Sequence, residues 1–191
     1  MEDKLLSPEE AAKALREGKV GLIPTETVVG LVAAEDRRLN EMKLREPGKP
    51  VALLCRSVEE AFSLARSVPG AARRLAERLW PGPLTLVLES GDGGTVGVRV
   101  PGRSAVVEVL RHYGAPLYAT SANITGQPAP AALEEVDPRV FSAVDFAVAG
   151  ERGSGEASAV VDFSQATPRV LRPAGEVTEG YVRRLHSGEG S

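Results

Sequence analysis

Short apolar runs alternate along this chain with stretches in which apolar residues recur every three or four positions, a pattern that predicts strands interleaved with helices. Ser7-Pro8-Glu9-Glu10 is a capping box with proline at the first helical position, and Gly18 is placed to end that helix. The run "VGLIP" reads as a strand, and after "TETVVGLVAA" a short helix is expected in "DRRLNEMK". From Glu46 onward Pro47, Gly48 and Pro50 require a loop, which leads into the strand "VALLC". Ser57-Val58-Glu59-Glu60 repeats the capping spacing and predicts the helix "VEEAFSLAR"; a second helix, "GAARRLAERL", is stopped by "WPGP".

"LTLVLE" and "VGVRV" read as an antiparallel pair joined by the turn "SGDGGT". Ser104 can cap the helix "AVVEVLRHY", which ends at Gly114, and "PLYATS" is a strand that "ANITGQPAPA" cannot continue. The last third predicts a helix near "PAALEEV", strands near "VDFAVA", "SAVVDF" and "RVLR", a glycine-rich loop "AGERGSGEA", and a final helix around "GYVRRL". Helices separate some strands, while others have only turn-length connections and must be antiparallel. The expected fold is therefore α+β, a mixed sheet flanked by helices. With no internal repeat and no break in composition, residues 1–185 are expected to form one domain and residues 186–191 a disordered tail.

Composition narrows the chemistry. A chain of 191 residues, 42% hydrophobic and 26% charged, can bury a core without disulfides or a structural metal. Its formal net charge of -3 gives no overall nucleic-acid signature, so any anion site must be a local cluster of cations. The single cysteine, Cys55, lies in an apolar run and reads as a buried thiol. The acidic, amphipathic N-terminus is unlike a secretory signal, and the expected location is the cytoplasm.

Polar residues that strand formation does not explain gather at strand ends: Thr25, Glu26 and Thr27; Lys43, Arg45 and Lys49; Thr85; Arg99; Thr120, Ser121 and Asn123; Ser158; and Arg172. Strand ends can converge on one crevice. These would combine arginine forks, lysine point charges and hydroxyls, a mixture that suits phosphate and carboxylate ligands. His112 and His186 are badly placed for a general base, and no Walker phosphate loop is present. Each residue also has a structural reading: Thr25 as a turn cap, Lys43 and Arg45 as a solvated helix end, Arg99 as a cross-strand ion-pair partner, and "WPGP" as a packed helix stop.

In order along the chain, "GLIPTETVVGL", the Lys43, Arg45, Lys49 spacing, "WPGPLTLV", "VRVP", "PLYATSANITGQP", "SAVVDF" and "VLRPAGEV" resemble the YrdC-type family, whose characterised members are L-threonylcarbamoyladenylate synthases. That resemblance implies a twisted mixed sheet around a concave, positively lined pocket. It also implies a reaction of ATP, L-threonine and bicarbonate that yields threonylcarbamoyl-AMP and pyrophosphate, with Mg²⁺ accompanying ATP. The adenylate would pass to a separate tRNA threonylcarbamoyl-transferase system that modifies adenosine 37. Carried over by position, Lys43 and Arg45 are implied as catalytic. Lys43, Arg45, Thr120, Ser121, Asn123 and Arg172 are implied to bind ATP, and Thr25, Lys49, Arg99 and Ser158 threonine and bicarbonate.

Val29 stands where the family has an aromatic residue, Val32 where it has glycine, and Ala159 where it has threonine; these positions are expected to line the same pocket. Two other readings fit these residues, a tRNA or double-stranded RNA binding module without synthase activity, and a paralogue that forms a different adenylate.

Overall fold

The computed structural model describes residues 2–43, 51–102 and 104–188. Ten strands form one sheet: β1 (Leu5–Leu6), β2 (Gly21–Pro24), β3 (Val29–Ala33), β4 (Ala52–Leu54), β5 (Leu84–Glu89), β6 (Thr95–Arg99), β7 (Leu117–Ser121), β8 (Phe146–Val148), β9 (Ala159–Asp162) and β10 (Arg169–Arg172). They lie in the order β1-β8-β2-β3-β7-β4-β6-β5-β9-β10. The turn-linked pairs β2/β3, β5/β6 and β9/β10 are antiparallel, whereas β4/β6, β5/β9, β2/β8 and β1/β8 are parallel. The sheet is mixed, as the connection lengths require.

Seven helices flank it: α1 (Pro8–Arg16), α2 (Asp36–Lys43), α3 (Val58–Ser63), α4 (Gly70–Leu79), α5 (Ser104–Tyr113), α6 (Pro138–Ala143) and α7 (Glu179–Ser187). The capping box of α1 forms in full, with Ser7 and Glu10 satisfying each other's backbone N–H. Helix α3 is shorter than its sequence pattern, because the chain leaves it at Leu64 and Ala65 bridges to Ser90. The helix expected near "PAALEEV" is reduced to a 3₁₀ turn, Leu133–Glu135. Pro138 explains the shift. It disfavours helical geometry at the residue before it, so Asp137 becomes an N-cap, accepting a hydrogen bond from the Arg139 N–H, and the helix starts after it. The final helix reaches Ser187 and closes on left-handed Gly188, so His186 and Ser187 belong to it rather than to a tail.

Alternation along the strands assigns the two faces of the sheet. Leu53, Leu86, Val98 and Val161 pack on the reverse face against Leu75 of α4 and Val182 and Leu185 of α7. Farther along that face, Leu22, Val29 and Leu31 pack with Leu39 of α2. On the obverse face α1 and α5 cover Ile23, Val32, Leu54 and Leu117. Beyond them the obverse side of β3, β7, β4, β6, β5 and β9 carries Gly30, Ala52, Gly97 and Ala119, residues too small to fill the space above the sheet. A cavity remains there.

Two sequence expectations are decided by this layout. Val29, Val32 and Ala159 are fully or almost fully buried in the cores and are not among the described residues that line this cavity. The family departures at these positions are therefore packing changes, not pocket changes. "WPGP" is structural, as its local reading suggests: buried Trp80 donates its Nε1–H to the Leu84 carbonyl at 2.7 Å and packs on Phe62, with ring centroids 5.7 Å apart.

Candidate functional site

The site begins where β2 ends. Its final residue, Pro24, is followed by a tight turn that Thr25 organises. Thr25 Oγ1 donates to the Val28 carbonyl at 2.7 Å, accepts from the Thr27 and Val28 N–H groups at 3.3 Å, and lies 2.9 Å from Thr27 Oγ1. The structural reading of Thr25 as a turn cap is correct, and the turn it builds is a wall of the cavity.

Opposite this turn, Arg99 at the end of β6 places Nη2 2.6 Å from Glu26 Oε1 and 3.0 Å from Thr27 Oγ1. The pair is largely withdrawn from water, with the Arg99 side chain 8% exposed and that of Glu26 20%. Glu26 Oε2 and Arg99 Nε are buried and have no partner among the described residues.

A second polar group occupies the far wall. Ser158, just before β9, lies 3.0 Å from Thr85 Oγ1 through its own Oγ. Arg172, at the end of β10, donates from Nε to the Ser158 carbonyl at 2.6 Å and from Nη2 to Ser158 Oγ at 3.2 Å. Although Arg172 keeps an open side to solvent, partial burial in the cavity lowers its pKa, and the like charge of Arg99 lowers it further. It remains a cation at any ordinary pH.

The segment before β9 ties the two walls together. Gly155 donates its N–H to the Thr27 carbonyl at 2.8 Å, Ser154 to that of Glu26 at 3.0 Å, and Gly153 to that of Ala131 at 2.8 Å. Gly153 has to be glycine, since a Cβ there would lie 2.3 Å from the Thr27 carbonyl oxygen. Two residues after Gly155, the same strand of backbone supplies Ala157 and Ser158 to the cavity.

The enclosed volume is about 680 Å³, with Thr25, Thr27, Arg99, Thr120, Ser121, Ser158 and Arg172 among its lining residues. Most of the predicted set is thereby assembled from distant parts of the chain. Ser121 faces the open side of the sheet opposite Gly30, while Thr120 alternates with it, opposite Leu31. Asn123 does not line this cavity. It accepts a hydrogen bond from Ser121 Oγ at 2.5 Å and borders a neighbouring, more apolar cavity of about 350 Å³ with Leu31, Met42, Ile124 and Arg139. Lys43 closes α2; its side chain, together with Arg45 and Lys49 and the loop expected there, lies outside the described residues.

Thr85 and Val28 also line the cavity, as do the small residues of its floor. Glycine and alanine at alternate strand positions, as in "VGVRV", are the sequence sign of such a floor. Cys55 takes no part: it is wholly buried, and burial pushes its thiol up to about 12. Among the described residues no group of three or more His, Cys, Asp or Glu could hold a metal ion, and no helix is long and apolar enough to cross a membrane.

A mixed sheet with this anion-seeking cavity can be compared with known proteins. The Sua5/YciO/YrdC family model, described as telomere recombination, matches residues 13–174. The chain belongs to the Sua5/YciO/YrdC family. Similar members are the threonylcarbamoyl-AMP synthase of Pyrococcus abyssi, 37% identical over 86% of this chain, and that of Bacillus subtilis, 32% identical over 95%. This Sua5/YciO/YrdC chain spans 53% and 58% of those two proteins, somewhat over half their length. A putative threonylcarbamoyl-AMP synthase of Mycobacterium leprae is 36% identical over 92% of this chain, which spans 86% of that protein. Among solved structures, Pyrococcus abyssi Sua5 complexed with L-threonine superposes with a TM-score of 0.83 at 32% identity, covering 93% of this chain and 56% of that one.

Proposed function

We propose that this chain is an ATP-dependent threonylcarbamoyl-AMP synthase. The observation that carries this reading is a cavity with two inward guanidinium groups, Arg99 and Arg172, a hydroxyl on each wall, and one carboxylate, Glu26, already paired to Arg99. Such a cavity keeps a net positive charge and suits ligands with carboxylate and phosphate groups. The names of the relatives, and the L-threonine in the Pyrococcus abyssi structure, agree with that chemistry.

L-Threonine, once its ammonium has lost a proton to solvent, condenses with bicarbonate through a new N–C bond to give a carbamate with loss of water. One oxygen of the carbamate carboxylate then bonds to the α-phosphorus of ATP as the Pα–O–Pβ bond breaks, and pyrophosphate carries away the electron pair. No protein nucleophile is needed, and no histidine is among the described residues that line the cavity. The protein's work is positioning and charge stabilisation. Arg172, held by Ser158, is assigned to the nucleotide, and Arg99, held by Glu26 and Thr27, is assigned with Ser158 to the threonine carboxylate and the carbamate. Thr25 and Thr85 contribute hydroxyls at the same end, and Ser121 with Asn123 lies toward the phosphates.

Lys43, Arg45 and Lys49 are proposed as triphosphate cations. Glu26 is engaged by Arg99, so Mg²⁺ would arrive on the phosphate oxygens of ATP, its usual mode of binding. The product would serve a tRNA threonylcarbamoyl-transferase. Incubation with ATP, Mg²⁺, bicarbonate and L-threonine should release pyrophosphate only when threonine and bicarbonate are both present. Release without threonine would indicate a different adenylate. No release, with salt-sensitive tRNA binding, would indicate an RNA-binding module instead.

A further inference from the structure

We infer that Glu26 is a positioning residue for the proposed reaction: it sets the orientation of the Arg99 guanidinium, and through it the seat of the amino-acid substrate. The inference rests on the synthase reading and concerns a residue that touches Arg99, not the reacting atoms. An arginine and a carboxylate left to themselves commonly pair through two parallel hydrogen bonds. Here only Nη2 meets Glu26 Oε1, at 2.6 Å, and the same nitrogen is shared with Thr27 Oγ1 at 3.0 Å. Among the described residues Nε has no partner, nor has Glu26 Oε2, in a side-chain pair largely closed to water.

Burying such groups unpaired is costly, so the end-on contact is one that the surrounding backbone imposes. Its source is visible. The Glu26 and Thr27 carbonyls are clamped by the N–H groups of Ser154 and Gly155, and Gly153 passes so close to Thr27 that no side chain fits. The clamp fixes the Glu26 backbone, and Glu26 in turn fixes one corner of the guanidinium that borders the cavity. A guanidinium held by one corner can offer its other N–H groups to a carboxylate at little reorganisation cost.

The test compares the wild type with Glu26→Gln, Arg99→Lys and the double variant in the pyrophosphate-release assay, with a thermal melt for each. Glu26→Gln keeps the size and one acceptor oxygen but removes the charge. It should raise the KM for threonine about tenfold, leave the KM for ATP within about twofold, and melt as a folded protein. Because both changes act through one guanidinium, the double variant should be scarcely worse than Arg99→Lys alone. Gly91→Ala, in an open turn where an added Cβ meets nothing within 4 Å, serves as the unaffected control. A threonine KM unchanged in Glu26→Gln, equal rises in both KM values, or additive losses in the double variant would each overturn the inference. If the wild type itself shows no threonine-dependent release, the synthase reading fails and this inference falls with it.

Discussion

Arg172 and Ser158 show how much a single contact can matter in this site. The guanidinium meets both the carbonyl and the hydroxyl of Ser158, and Thr85 completes the cluster. Arg172→Ala should lower kcat/KM for ATP by about 10- to 100-fold, the scale of a lost charge-assisted contact. Ser158→Ala should cost less, since the carbonyl contact remains, and steady-state kinetics on the two variants would check the order. Cys55 makes a contrary prediction. With its thiol pushed up to about 12 by burial, it should resist a thiol reagent at neutral pH in the native protein and react on unfolding. Cysteine titration with and without denaturant measures this, and native labelling would contradict the packing around β4. The cavity-lining polar residues of the described chain were legible because strand formation alone does not call for hydroxyls and arginines at strand ends, although each also had a structural reading. Glu26 was visible too, but its role was not, since only the fold brings it to Arg99, 73 positions away.

Elements hold these residues through backbone geometry. Gly153→Ala would force a methyl group against the Thr27 carbonyl and part the clamp from the turn, with a stability loss of about 1–3 kcal/mol, typical of overpacking, and a larger loss of threonine-dependent activity. Chemical denaturation and the pyrophosphate assay would separate the two effects. At the other end of the sheet, Gly21→Ala would place its Cβ 2.2 Å from the Phe146 ring, destabilising the β2/β8 pair without touching the cavity. Capping signals announced α1 and α3, and the apolar period announced α4, because these are local events. Strand β3 carries no alternation, since all five of its residues are buried. The helix expected in "PAALEEV" failed because Asp137-Pro138 is the stronger start signal, and it follows directly on that segment.

For the whole molecule, the central relation is between a sheet face lined by glycine and alanine and the cations at its rim. Helices α1 and α5 cover one end of that face, with the family departure Val32 in the core beneath them, the strap through Gly153 and Ser158 bounds it, and the departures Val29 and Ala159 fall in the cores behind it. Order of motifs along the chain revealed the fold family, whereas the placement of those departures required knowing which strand face each residue occupies. The most direct test is mass spectrometry of the products formed from ATP, Mg²⁺, L-threonine and ¹³C-bicarbonate. The account predicts threonylcarbamoyl-AMP carrying one ¹³C atom, accompanied by pyrophosphate and formed more slowly by Arg172→Ala. An unlabelled adenylate, a labelled adenylate lacking threonine, or no adenylate at all would contradict it.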